Sequence, residues 1–155
     1  QWDSAYAEAV RLETAGQIAA AAEKYRMAAA IDERFAELQF RLARCCLTLG
    51  KYAEARERFV RARDDDALQF RTDTHLNELV RQCAAGRDAN QVFLADIEQT
   101  LIDHPASPNQ LPGDELFWEH VHLRLAGNYA AAKAILLHRF HRSETRNAAA
   151  THTHP

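Results

Sequence analysis

The sequence predicts a mainly α fold: two helical hairpins with a capping helix, then a small α/β segment. Three observations predict it. Gly16 and Gly50 stand 34 residues apart, each between two amphipathic stretches. The same side-chain classes follow both glycines at the same offsets, Ala21, Tyr25 and Ala28 after the first and Ala55, Phe59 and Ala62 after the second. After Gly86 the pattern changes to a short apolar run and a proline-bearing loop.

Each small–aromatic–small set falls on one helical stripe, at spacings of four and three. Small residues let paired helices approach closely, and the aromatic fills the gap between successive hairpins. A glycine can take the left-handed conformation that closes the first helix of a hairpin. The first helices carry matching stripes, Tyr6, Ala9 and Leu12, then Leu42, Ala43, Cys46 and Leu49. The repeat resembles the tetratricopeptide family over about residues 2–66, although the usual tryptophan and closing proline are missing. Two repeats leave a face to cover. The stretch Ala67–Ala85, with Leu68, Phe70, Leu76, Leu79, Val80 and Cys83, is the candidate cap, and Gly86 ends it.

Beyond Gly86, Gln91–Ala95 reads as a short buried strand and Asp96–Ile102 as a helix. His104–Gly113, with Pro105, Pro108 and Pro112, reads as a loop. Asp114 starts a short turn running to Glu119. Asn128–Arg142 is an amphipathic helix with Tyr129, Ala132, Ile135, Leu136 and Phe140 on its apolar side, and residues 143–155 form a polar, disordered tail. The expected divisions are residues 1–66, 67–142 and 143–155.

Glu119 precedes His122 by three residues, and Gly127 follows before the apolar helix. This block resembles the end of the SGNH (GDSL-type) hydrolase superfamily, where an acid and a histidine share a D-x-x-H loop ahead of a glycine-initiated helix. The resemblance covers about residues 68–141, with Asn77–Ala84 as the penultimate helix and Val92–Asp96 as the last strand. It implies that His122 is the general base of a serine hydrolase and that Glu119 is the acid orienting it. Glu replaces the family's Asp. The G-D-S nucleophile block and the oxyanion-hole blocks have no counterpart, and Gly113-Asp114-Glu115-Leu116 matches G-D-x-L only by coincidence. A base and an orienter without nucleophile or oxyanion donors cannot transfer an acyl group. A lone strand also leaves its backbone groups unpaired. The chain, which opens without Met in a helical pattern, therefore reads as a piece of a longer protein.

On the hairpins, Tyr6, Val10, Phe40, Arg41 and Arg44 are the candidate peptide-binding residues. Tetratricopeptide domains that clamp a terminal carboxylate use lysine and asparagine at the matching places, so a chaperone-tail ligand is not expected. Arg41 and Arg44 favour an acidic partner. Arg71 reads first as a salt-bridge partner of Asp64–Asp66, and second as a contact for a substrate carboxylate or phosphate.

The formal net charge is −3, with no basic excess to suit nucleic acid. No apolar run is long enough to span a membrane. Cys45, Cys46 and Cys83 are neither a disulfide framework nor a zinc set, and are expected as buried thiols in a reducing, cytoplasmic compartment. His120, His138, His141, His152 and His154 form no metal motif, so neither metal nor cofactor is expected. Three functions follow. The first is an interaction or structural module that is an inactive fragment of an SGNH-like hydrolase. The second is a freestanding peptide-binding adaptor. The third is an esterase or related acyl enzyme once upstream sequence supplies the serine. The expected partner is a protein, a peptide or the rest of the parent chain.

Overall fold

The computed structural model describes residues 1–87, 92–119 and 121–137. The chain divides into two compact units, Gln1–Thr74 and His75–Pro155. The first unit is two helical hairpins, α1 (Trp2–Thr14) with α2 (Ile18–Ala29), and α3 (Ala36–Thr48) with α4 (Tyr52–Asp64).

Both hairpins turn on the same hydrogen bonds. Gly16 has φ +74° and donates to the Glu13 carbonyl, while Gln17 donates to that of Leu12. Gly50 has φ +71° and donates to Leu47, while Lys51 donates to Cys46. This is a Schellman cap, and the left-handed residue it needs favours glycine.

The repeated stripes pack as equivalents. Tyr6 meets Tyr25 with ring centroids 5.8 Å apart, and Phe40 meets Phe59 at 5.6 Å. Each ring of the second pair lies 34 residues after its counterpart. Ala9, Leu12, Ala21, Tyr25, Ala28, Leu42, Ala43, Cys46 and Ala55 are buried. Phe59 and Ala62 are only half-buried, and Leu49, at the end of α3, stays 37% exposed. The difference comes from the order of packing: α3 covers α2, and no helix of this unit follows α4.

The faces of α1 and α3 explain the order. On α3, Leu38, Leu42 and Cys45 are buried. At the matching places on α1 stand Ser4, Glu8 and Arg11, with Arg11 donating to Glu8 at 2.8 Å. Two ion pairs cross between the hairpins, Arg41 to Glu13 at 3.0 Å and Arg26 to Glu54 at 2.9 Å, and a third ties Arg61 of α4 to Glu33 in the linker joining α2 to α3. Each joins residues 28 apart. Fully buried Gln39 of α3 adds a further tie, donating to the Glu33 carbonyl of the linker and accepting from Arg58 of α4.

The helix α5 (Thr74–Ala85) ends before Gly86, as expected, and buries none of its residues; Leu76, Leu79 and Val80 are 41–55% exposed. Cys83 is exposed too, against the expectation of three buried thiols, whereas Cys45 and Cys46 are buried. Burial pushes the Cys45 thiol up to about 11.

The expected strand does not form. Gln91 lies outside the described residues, and residues 92–96 form no regular secondary structure, with Val92 and Phe93 about 40% exposed. No described strand is there to accept its hydrogen bonds. Asp96 instead caps α6 (Ile97–Ile102), accepting from the Gln99 N–H at 3.0 Å. After a 3-10 turn at Pro108–Gln110, residues 117 and 123 form an isolated antiparallel bridge. A helix, α7, covers residues 125–137, starting three residues earlier than expected, with Gly127 in its first turn. Residues 138–142 of the expected helix and the tail 143–155 lie outside the described residues.

The core of the second unit is Leu101, Leu116 and Ala130, with Ile97, Ala106, Phe117 and Leu123 against it. Here α7 inverts the expected face. Gly127 and Ala130 are buried, while Tyr129, Ile135 and Leu136 are 47–66% exposed. A Cβ on Gly127 would stand 2.7 Å from the Leu116 carbonyl oxygen, so only glycine admits this approach.

The glycines thus differ in kind. A Cβ at Gly50 would meet nothing within 4 Å. Gly50→Ala should cost about 1–2 kcal/mol, from the left-handed backbone alone, and Gly50→Asn should cost less. Gly127→Ala should cost about 1–3 kcal/mol by overpacking, and Gly127→Asn more still. Chemical denaturation of the four variants reads the two opposite orders.

Candidate functional site

The Glu119–His122 pair sits at the tip of a short hairpin. Phe117 bridges Leu123, Trp118 donates its N–H to the His122 carbonyl at 2.8 Å, and Arg124 donates to that of Leu116 at 2.8 Å. Phe117 and Leu123 pack inward on the core. The Glu119 carboxylate reaches across the turn. It accepts from the His122 backbone N–H at 2.9 Å and from Val121 at 3.4 Å, and contacts His122 Nδ1. Partial desolvation pushes the Glu119 carboxyl up. The hydrogen bonds from the His122 backbone and ring outweigh that and hold it below its ordinary value.

An ionised carboxylate only accepts, so the proton of neutral His122 belongs on Nδ1 and the lone pair on Nε2. The extra methylene of Glu relative to Asp does not prevent the contact. The His122 side chain is 80% exposed. Ser107, in the same unit, is buried and donates its hydroxyl to the Leu101 carbonyl, so it is no nucleophile for this histidine.

Two residues of this hairpin escaped the sequence reading. Trp118 is 67% exposed, and the Arg124 guanidinium lies 4.1 Å from its ring centroid. Arg124 also donates Nε to the Phe117 carbonyl at 3.0 Å. The turn carries neither Gly nor Asn, so no turn signature marked the pairing that brings them together.

Asp96, expected as the acid ending a strand, belongs to a structural triad. Arg81 of α5 donates to it at 2.7 and 3.3 Å, and to Glu98 at 2.7 Å. The Arg81 hydrogen bond is the main cause that holds the Asp96 carboxyl below its ordinary range.

The hairpin candidates fall into two groups. Tyr6 stacks on Trp2 at 5.0 Å and meets Phe35 edge-on at 5.6 Å. Arg41 donates to Glu13 at 3.0 Å and to Glu37 at 2.7 Å, and the Tyr25 hydroxyl donates to the same Glu13 oxygen at 2.7 Å. Burial and Glu13 push the Tyr25 phenol well up. Val10 is half-buried. Phe40 is 44% exposed, and Arg44 is exposed with no ion pair among the described residues. Arg71 is exposed; desolvation and the neighbouring Arg63 charge hold its guanidinium below its ordinary value, and Asp66 of the acidic run acts on it in the opposite sense. Arg63 donates to Asp64 Oδ1 at 2.9 Å, the Thr74 N–H donates to the same oxygen at 3.0 Å, and Asp66 accepts from the Leu68 N–H.

Among the described residues no three His, Cys, Asp or Glu side chains are grouped to hold a metal, and no helix is long and apolar enough to cross a membrane. His120, His138, His141, His152 and His154 lie outside the described residues.

A model of the tetratricopeptide repeat matches residues 12–72, from the end of α1 to just beyond α4. No curated protein and no solved structure matches the chain. This stretch is therefore a tetratricopeptide-type helical repeat, a type suited to protein interaction, and the chain is mainly helical.

The two arginines of α3 should separate on substitution. Arg41→Ala leaves Glu13 and Tyr25 with a broken network and should cost about 1–3 kcal/mol. Arg44→Ala should stay within about 0.5 kcal/mol. Urea titration of the two variants measures both.

Asp96 gives a pH dependence. Its folded pKa is depressed, so its stabilisation is present above the unfolded value of about 3.9 and is lost as pH falls through the folded value. Acidification below about pH 4 should loosen the second unit, and Arg81→Ala should flatten that dependence, read from the amide signals of residues 97–102.

Proposed function

We propose that the chain is a protein-interaction and structural module joined to the C-terminal end of an SGNH-like hydrolase, and that residues 1–155 alone do not hydrolyse esters. The observation carrying this is the Glu119–His122 contact. A carboxylate fixes Nδ1 and leaves Nε2 open, the arrangement a general base needs. A serine able to use it must come from outside these residues. The exposed apolar side of α7, with Tyr129, Ile135 and Leu136, supports the same reading, because the corresponding helix of that superfamily packs on a sheet.

On the hairpins, Phe40 and Arg44 lie one turn apart on α3 and form the proposed contact for a protein or peptide partner, together with Val10, which precedes Arg44 by one 34-residue repeat. Tyr6 and Arg41 are proposed for the same surface in a supporting part, since the Tyr6 ring and the Arg41 charge are already engaged. Arg71 remains a proposed substrate contact of a completed enzyme. The freestanding adaptor is the second reading, favoured by exposed Phe40 and by Arg44, which has no ion pair among the described residues, and it gives His122 no catalytic part.

Turnover of a p-nitrophenyl ester decides between them. The 155-residue chain should match buffer. A longer chain carrying the serine should turn over, and His122→Ala should slow it by about 10²–10⁴-fold. Unchanged turnover in that variant removes the histidine from the chemistry and leaves the adaptor.

A further inference from the structure

The outward face of the 116–124 hairpin carries more than the acid–histidine pair. Residues opposite one another across an antiparallel pair share a face. Phe117 and Leu123 share the inward one. Trp118 and His122 are the next opposed pair, joined by the Trp118 N–H, and share the outward one. Arg124 joins them there by lying on the Trp118 ring.

That contact places a cation. The Arg124 Cζ lies over the indole and its Nε–H is spent on the Phe117 carbonyl, so its terminal N–H groups are what it can offer an acceptor. Among the described residues no carboxylate pairs with Arg124. The nearest carboxylate in the turn, Glu119, is turned to the His122 backbone and ring. Trp118 is two-thirds exposed, so ring surface not covered by Arg124 is open to a flat group.

We propose that Trp118 and Arg124 form a binding site for an oxyanion carried on a flat ring, set beside His122. The Arg124 edge takes the oxyanion in a bidentate hydrogen bond, and the indole takes the ring. The proposal rests on reading Glu119–His122 as an acid–histidine pair. It adds the substrate class: an ester whose acyl or alcohol part bears a carboxylate or phosphate. Trp118 and Arg124 would hold such a substrate without taking part in proton transfer.

The test is binding to the 155-residue chain, followed by the indole N–H and arginine Nε–H signals in ¹H–¹⁵N spectra. Trp118→Phe assigns the indole signal against that of Trp2. Sodium benzoate and phenyl phosphate are the anionic probes, and benzamide is the neutral one. The expected result is a saturable shift of the Trp118 and Arg124 signals with at least one anion, and binding about tenfold weaker or more with benzamide. Whichever anion binds tighter identifies the carboxylate or the phosphate source. Arg124→Gln should weaken the anion by about tenfold or more. Equal shifts with benzamide, or no saturable shift at all, would overturn the site, and both readings come from the unaltered chain if Arg124→Gln fails to fold. The binding readout is independent of ester turnover, so loss of the hydrolase reading and loss of this site are separate results.

Discussion

A left-handed residue closing α1 and another closing α3 set the geometry on which the first unit depends. Gly16 and Gly50 differ by 3° in φ, and each is followed by the same pair of carbonyl-directed hydrogen bonds. Because the turn recurs after 34 residues, so does what it positions. The Tyr6–Tyr25 and Phe40–Phe59 rings meet at nearly the same distance. Ion pairs tie the hairpins together. Glu13–Arg41 joins α1 to α3 and Arg26–Glu54 joins α2 to α4, both at an offset of 28, and Glu33 of the linker meets Arg61 at the same offset. The two helices of the second hairpin are thus displaced alike from those of the first.

The ion pairs set that displacement more by excluding alternatives than by raw strength. Glu13 is 14% exposed, and it takes the Tyr25 hydroxyl and Arg41 on one oxygen. A slip along the helix would leave a partly buried carboxylate, a phenol and a guanidinium unmatched, which costs more than the matched network contributes. The apolar interface alone, rich in alanine, offers little shape to resist such a slip. The engaged state of Arg41 also bears on the proposed binding surface. An arginine held by two carboxylates presents little free charge to a peptide, so the available cation on α3 is Arg44.

The hairpins were legible in the sequence because their signal is local and doubled: one glycine and one stripe, written twice. The second unit was legible only in part. The helix after Asp96 has a side-chain cap, which its sequence displays. The strand at residues 91–95 was misread because an apolar run shows only that burial is wanted, while strand geometry depends on a neighbour. Arg63 adjoins Asp64 in sequence and pairs with it, whereas only the fold brings the Thr74 N–H, ten residues on, to the same carboxylate. The Glu119–His122 spacing pointed to their contact. Trp118 and Arg124 were invisible, since their meeting depends on a hairpin formed by a single bridge and a carboxylate spanning its turn.

The helix after that hairpin turns two unlike faces in different directions. Its large apolar side chains, Tyr129, Ile135 and Leu136, made the obvious amphipathic stripe, yet the side it turns to its own unit is Gly127 and Ala130. Small residues gain little from burial, at about 25 cal/mol per Å². What they permit is closeness, and the Leu116 carbonyl stands where any Cβ at residue 127 would lie. That closeness seats the helix against Leu116 and Leu123, the two ends of the hairpin holding His122. On the proposed reading, the large face docks on a sheet belonging to the rest of the protein. The same helix would then fix the distance between that body and the histidine, which is the quantity a general base must hold to within about an ångström.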